Sequence, residues 1–199
     1  MYKRLLPKSA GVLFSGIVCS LLCDGLCEAQ AQERIALRGT EIRTEGRMPR
    51  TGEPAPEFTA TGRDLREVKL SEFRGRNVIL NIFPSLDTPT CAMSVREFNT
   101  AAAALANTVV LCLSMDLPFA QGRFCAAEGL DDVVPLSLFR SQGFFSQYGL
   151  RITEGEMRGL AARAVLVLDA QGVVRHAQLV PEITREPDYE TALRIAKEL

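Results

Sequence analysis

Hydrophobic and polar positions follow two distinct rhythms along this chain. Residues 77–83 (NVILNIF) form a nearly continuous apolar run, the mark of a strand buried on both faces. Residues 108–115 and 164–168 repeat that run. Residues 173–179, entered through the turn Asp169-Ala-Gln-Gly172, predict an antiparallel partner strand. Between and after the runs the spacing becomes helical, over 89–107, 118–128, 142–148 and 188–199. In the first of these, Cys91, Val95, Phe98, Ala102 and Leu105 recur at steps of four and three and share one face. Strands alternating with helices predict an α/β sandwich around a central sheet. Ahead of it, residues 32–50 are polar and rich in arginine, with a small hairpin predicted about Gly39-Thr40 and the arginines on a solvated edge. Pro54 and Pro56 mark 51–58 as a loop.

The first 31 residues obey a different pattern. Lys3, Arg4 and Lys8 precede an apolar stretch over 10–23, followed by small and polar residues ending in Ala29-Gln30-Ala31. That order predicts a secretory signal peptide cleaved after Ala31, hence export, to the periplasm in a bacterium. If the segment does not serve as a signal, the alternative is the cytoplasm. The apolar stretch is too short to span a bilayer comfortably as a retained anchor. Cys19, Cys23 and Cys27 read as residues discarded with the peptide rather than as metal ligands, and none follows the Leu-small-small pattern of lipoprotein processing. The chain thus divides into a signal peptide (1–31), an N-terminal extension with the hairpin (32–51) and one main domain (52–199).

Composition narrows the chemistry. Of 199 residues, 47% are hydrophobic and 24% charged, globular values that exclude a disordered chain. A net charge of −1 offers no electrostatic footprint for nucleic acid. The single histidine, His176, cannot build a His-rich metal site, and in a predicted strand it reads as a surface residue. Asp169 is not followed by acids at calcium spacing, and no phosphate loop or flavin or nicotinamide fingerprint is present, so neither metal nor cofactor is predicted. Chemistry is left to sulfur. After the predicted cleavage Cys91, Cys112 and Cys125 remain, an odd number that leaves one thiol unpaired at any time.

Cys91 lies where strand joins helix, in Pro84-Ser-Leu-Asp-Thr88-Pro-Thr-Cys91. Pro89 suits the first helical position, with Thr88 or Asp87 as the cap. Cys91 then falls in the first turn, where unsatisfied N–H groups and the helix dipole favour a thiolate and the Thr88 hydroxyl can donate to it. The competing reading is an inert cysteine packed on an amphipathic helix. Ala92, Met93 and Ser94 follow, so no C-x-x-C pair exists for a disulfide reductase or metallochaperone. Cys112 sits in the predicted strand VLCLSM and reads as packing; for Cys125, a core helix residue is one of two readings.

The stretch from Pro84 to Cys91 resembles the P-x-x-x-T-x-x-C motif of the peroxiredoxins. NIFPSLDTPTCAMSVREFN, DLPFAQGRFCAAEGL, GLAARAVLVLD and EITREPDYETAL are similar in turn to the thiol peroxidase branch, the atypical two-cysteine peroxiredoxins, from about Gly52 to the C-terminus. The resemblance implies a thioredoxin-like α/β fold and a thiol-dependent peroxidase acting on hydrogen peroxide and organic hydroperoxides, for antioxidant defence. It implies Cys91 as peroxidatic cysteine, Thr88 as its hydroxyl partner, Pro84 as shield of the site, Arg163 as the guanidinium holding thiolate and peroxide, and Cys125 as resolving cysteine. An intramolecular Cys91–Cys125 disulfide, recycling by thioredoxin or a thioredoxin-like donor, and a homodimer are implied as well, with no stable membrane association. The alternative is a non-catalytic redox sensor that signals through the same disulfide.

Overall fold

The computed structural model describes residues 32–199; the predicted signal peptide lies outside them. The chain opens with strands β1 (Arg34–Leu37) and β2 (Thr40–Arg43), a two-residue hairpin. Its turn residues Arg38 and Gly39 both have positive φ (52° and 81°), which matches the twist of the flanking strands. There follow β3 (Thr59–Thr61), β4 (Glu67–Lys69), a 3-10 turn (Leu70–Phe73) and β5 (Asn77–Ile82). Then come α1 (Pro89–Ala102), β6 (Thr108–Ser114), α2 (Pro118–Glu128), β7 (Val133–Ser137) and α3 (Gln142–Tyr148). Strands β8 (Ala164–Leu168) and β9 (Val174–Leu179) and helix α4 (Tyr189–Glu198) complete the chain.

Seven strands form one mixed sheet in the order β4-β3-β7-β6-β5-β8-β9. Strand β5 pairs in parallel with β6 and antiparallel with β8, so the longest apolar runs occupy the middle. This is the thioredoxin-like arrangement that the sequence resemblance implied, with the hairpin outside the sheet. Helix α1 stops at Ala102, short of the predicted 107, because the chain must turn back into β6. Leu105 N–H closes that turn on the Ala102 carbonyl, and Asn107 takes a positive φ of 47°. Strands β3, β4 and β7 were not legible in the sequence. The first two have three residues each, and β7 carries Pro135, which normally argues against a strand. Proline is tolerated there because β3 pairs with β7 only at Thr61–Ser137.

Period-two alternation sends the sheet's side chains to two faces. Leu80, Ile82, Leu111 and Leu166 meet Phe144, Phe145 and Tyr148 of α3 on one of them, together with Ile35 and Ile42 of the hairpin. Ile79, Val110, Cys112, Val165 and Val167 face α1, α2 and α4 on the other. Each fully buried side chain of this size contributes roughly 1.5–3 kcal/mol. All three described cysteines lie on the second face and all three are free thiols. His176 is half-buried on β9 rather than at the surface, and burial pulls its pKa down.

Candidate active site

Strand β5 delivers the chain to buried Phe83 and Pro84, and a short turn leads into α1. Thr88 is the N-cap residue and Pro89 opens the helix. Proline has no N–H to lose, and the Ala92 N–H closes on the Thr88 carbonyl at 3.0 Å. The Thr90 and Cys91 N–H groups are the donors left at the positive end of α1. Cys91 itself is fully buried, with 0% exposure.

Over this cysteine lies Arg163, one residue ahead of β8. Its Nη2 donates to Cys91 Sγ at 3.3 Å and its Nε to the Ile183 carbonyl at 3.0 Å. The guanidinium is only 1% exposed. A buried cation is costly unless an anion accompanies it, and among the described residues no carboxylate pairs with this one. The Cys91 sulfur is the side-chain group that accepts from it. Nη1 is buried without a hydrogen-bond partner, leaving one donor for an incoming oxygen.

The Thr88 hydroxyl departs from expectation. It donates to the Ser85 carbonyl at 3.1 Å, closing the turn before α1, and makes no bond to the sulfur or to the helix backbone. Pro84 is buried at the base of the same turn. Cys125 sits in α2, 2% exposed, where its carbonyl accepts from the Gly129 and Leu130 N–H groups that end the helix. Burial pushes its thiol pKa up; the Arg63 guanidinium opposes this and Asp131 adds to it. Cys112, in the middle of β6, is pushed up to about 12 by burial, against the pull of the Asn81 amide, with Cys125 adding a little. A thiol held that high supplies almost no thiolate at neutral pH.

Several supporting residues escaped the sequence reading. Asp116 accepts from Ser85 Oγ (2.7 Å), the Leu86 N–H (2.7 Å) and Ser114 Oγ (2.8 Å), pinning the turn before α1 to the end of β6. Gln121 of α2 donates to the same Ser114 Oγ at 3.1 Å, so one carboxylate links the segments carrying Cys91 and Cys125. Beneath α1, Asn81 donates to Ser94 Oγ at 3.3 Å and Ser94 to the Cys91 carbonyl at 2.9 Å. Asn81 did leave a signal, an amide in the middle of an apolar run. The contacts of Asp116 join residues far apart in sequence and left none.

Comparison with known proteins places the chain in a family. The family model described as Redoxin matches residues 50–193. Thiol peroxidases of Mycobacterium tuberculosis and Mycobacterium bovis are 55% identical over 160 residues, covering 80% of this chain and 96% of those proteins. A solved peroxiredoxin-like protein from Aquifex aeolicus superposes with a TM-score of 0.79 at 36% identity, covering 84% of this chain and 98% of that one. A thiol peroxidase from Chromobacterium violaceum, at 20% identity, shares the fold with a TM-score of 0.76 over 83% of this chain and 95% of that one.

Proposed function

This chain belongs to the redoxin family and, within it, to the thiol peroxidases, peroxiredoxin-type oxidoreductases, and we propose that it reduces hydrogen peroxide and organic hydroperoxides at Cys91. The observation that carries the assignment is the buried Arg163 guanidinium donating to Cys91 Sγ at 3.3 Å at the start of a helix. The Cys91 thiolate attacks one peroxide oxygen. The O–O bond breaks, the sulfur gains that oxygen as sulfenic acid, and the other oxygen leaves as alkoxide or hydroxide and takes up a proton. Arg163 and the free N–H groups of α1 stabilise the charge on the leaving oxygen. Thr88 acts on the turn that seats Cys91, and Pro84 walls the site from beneath.

Cys125 then attacks the Cys91 sulfenic acid. An S–S bond forms, the S–O bond breaks, and the oxygen leaves as water once it has taken the thiol's proton. Thioredoxin or a thioredoxin-like donor returns both thiols. A disulfide requires the Cα atoms within ~7 Å, and α2, which buries only Pro118, Gln121 and Cys125, is the helix we assign to loosen and bring Cys125 there. The working protein is a homodimer, and the N-terminal segment exports it, which places its reductant outside the cytoplasm. The test is peroxide consumption with excess dithiol: wild type cycles, Cys91→Ser does not, and turnover surviving in that variant rejects Cys91. Light scattering reads the dimer, and the mass of the mature N-terminus, expected at Gln32, reads export.

A further inference from the structure

Arg163 is aimed by one carbonyl, that of Ile183, in the loop between β9 and α4. The same loop reaches α1, because the Thr184 carbonyl accepts from Thr90 Oγ1, beside Cys91, at 3.1 Å. A loop that orients a buried cation must itself be held, and the hairpin holds this one from outside the sheet. Ala36 N–H donates to the Pro181 carbonyl (2.6 Å) and Ile183 N–H to the Ala36 carbonyl (2.9 Å). Glu182, between those two residues, turns its carboxylate onto the hairpin's turn. It accepts from the Arg38 N–H (3.1 Å), the Gly39 N–H (3.0 Å), the Thr184 N–H (3.1 Å) and Thr184 Oγ1 (2.8 Å). Two adjacent N–H groups in left-handed conformation make a small anion-binding concavity, and Glu182 fills it.

We propose that Glu182 is a positioning residue of the peroxidase reaction, locking the N-terminal hairpin to the 181–184 loop so that the Ile183 carbonyl fixes Arg163 over Cys91. The hairpin is in this sense part of the active site, although it contributes no atom to it. The proposal rests on the reading that Arg163 serves the attack of Cys91 on peroxide.

A double-mutant cycle tests it, because residues acting through one another are non-additive. Wild type, Glu182→Ala, Arg163→Met and the double variant are mixed reduced with one equivalent of hydrogen peroxide. Acid quench and intact mass then follow Cys91 oxidation, and circular dichroism checks the fold of each. Glu182→Ala is expected to slow oxidation about tenfold, the scale of a small misplacement of a catalytic group. In the Arg163→Met background it is expected to add less than about twofold. Glu182→Gln, which keeps one acceptor oxygen, should recover most of the rate; should Glu182→Ala not fold, Glu182→Ser, too short to reach the Arg38 and Gly39 N–H groups, takes its place with the same expected slowing. Equal slowing by Glu182→Ala in both backgrounds overturns the relay while leaving Arg163 in its role, as does a folded Glu182→Ala protein as fast as wild type. An Arg163→Met protein as fast as wild type overturns the role of Arg163 and the relay with it.

Discussion

Helices α1 and α2 each present a cysteine to the same face of the sheet, yet they are held in opposite ways. Helix α1 buries Cys91, Ala92, Ser94, Val95 and Phe98, and its first two turns are bonded through Ser94 to Asn81 and through Thr90 to Thr184. Helix α2 buries Pro118, Gln121 and Cys125 alone, and leaves Leu117 50% and Phe119 66% exposed at its start. Its interior carries Gly122, a residue that costs a helix about 0.5–1 kcal/mol relative to alanine. Its far end is tied to α1 by the exposed pair Arg96–Glu128, of a kind worth roughly 0.2–1 kcal/mol. The contrast matches two tasks in the proposed cycle. Cys91 reacts where it stands, whereas Cys125 has to travel.

The largest effects fall on the two cysteines. Cys91→Ser should lose all turnover, since an alcohol supplies almost no nucleophile at neutral pH. Cys125→Ser should consume one equivalent of peroxide, then stall and gain a second oxygen on the Cys91 peptide under excess peroxide. Intact mass after graded peroxide reads this; a Cys91–Cys112 disulfide in that variant would hand the resolving role to strand β6 and break the contrast. Next in size, Arg163→Met should slow Cys91 oxidation on the order of 10²-fold, the scale for one lost transition-state donor, with little change in the later disulfide step. Rapid-quench mass spectrometry separates the two phases.

A smaller effect tests α2 directly. A Cβ added at Gly122 meets only the Arg63 side chain, at 3.7 Å or more, an ordinary contact. Gly122→Ala should therefore stabilise the reduced protein by about 0.5–1 kcal/mol and slow disulfide formation a few-fold, leaving peroxide attack unchanged. Urea unfolding and the same quench assay check both halves. The smallest effect concerns the anchoring of the Cys91 side. The Gly39 N–H above all, with Thr184 and Arg38, holds the Glu182 carboxyl at about 2, below its ordinary 4.5. A depressed carboxylate adds stability above its unfolded pKa and loses it as pH falls toward the folded one. The thermal midpoint of wild type should exceed that of Glu182→Gln by a constant margin above about pH 4.5, and the margin should close toward pH 2.

The parts legible in the sequence were those written in local pattern. The apolar runs gave β5, β6 and β8 because strands buried on both faces are mostly apolar. Pro89 after Thr88 marked the start of α1, and the eight-residue motif from Pro84 to Cys91 singled out Cys91. What stayed hidden depends on residues that meet only after folding. Nothing local distinguishes Asp116 from any acid in a loop, or shows that the Thr88 hydroxyl turns back to Ser85. Glu182 lies beside the hairpin turn only because β9 carries the chain back across the molecule to Ala36.

The burial of the three described thiols also gives the protein a built-in stopwatch. Cys91, Cys112 and Cys125 are exposed by 0%, 1% and 2%, so a bulky alkylating reagent reaches each only when its own surroundings open. The labelling rate then counts openings. On the proposed cycle, labelling should be fastest at Cys125 in α2, should follow the first turn of α1 at Cys91, and should be slowest at Cys112 in the central sheet.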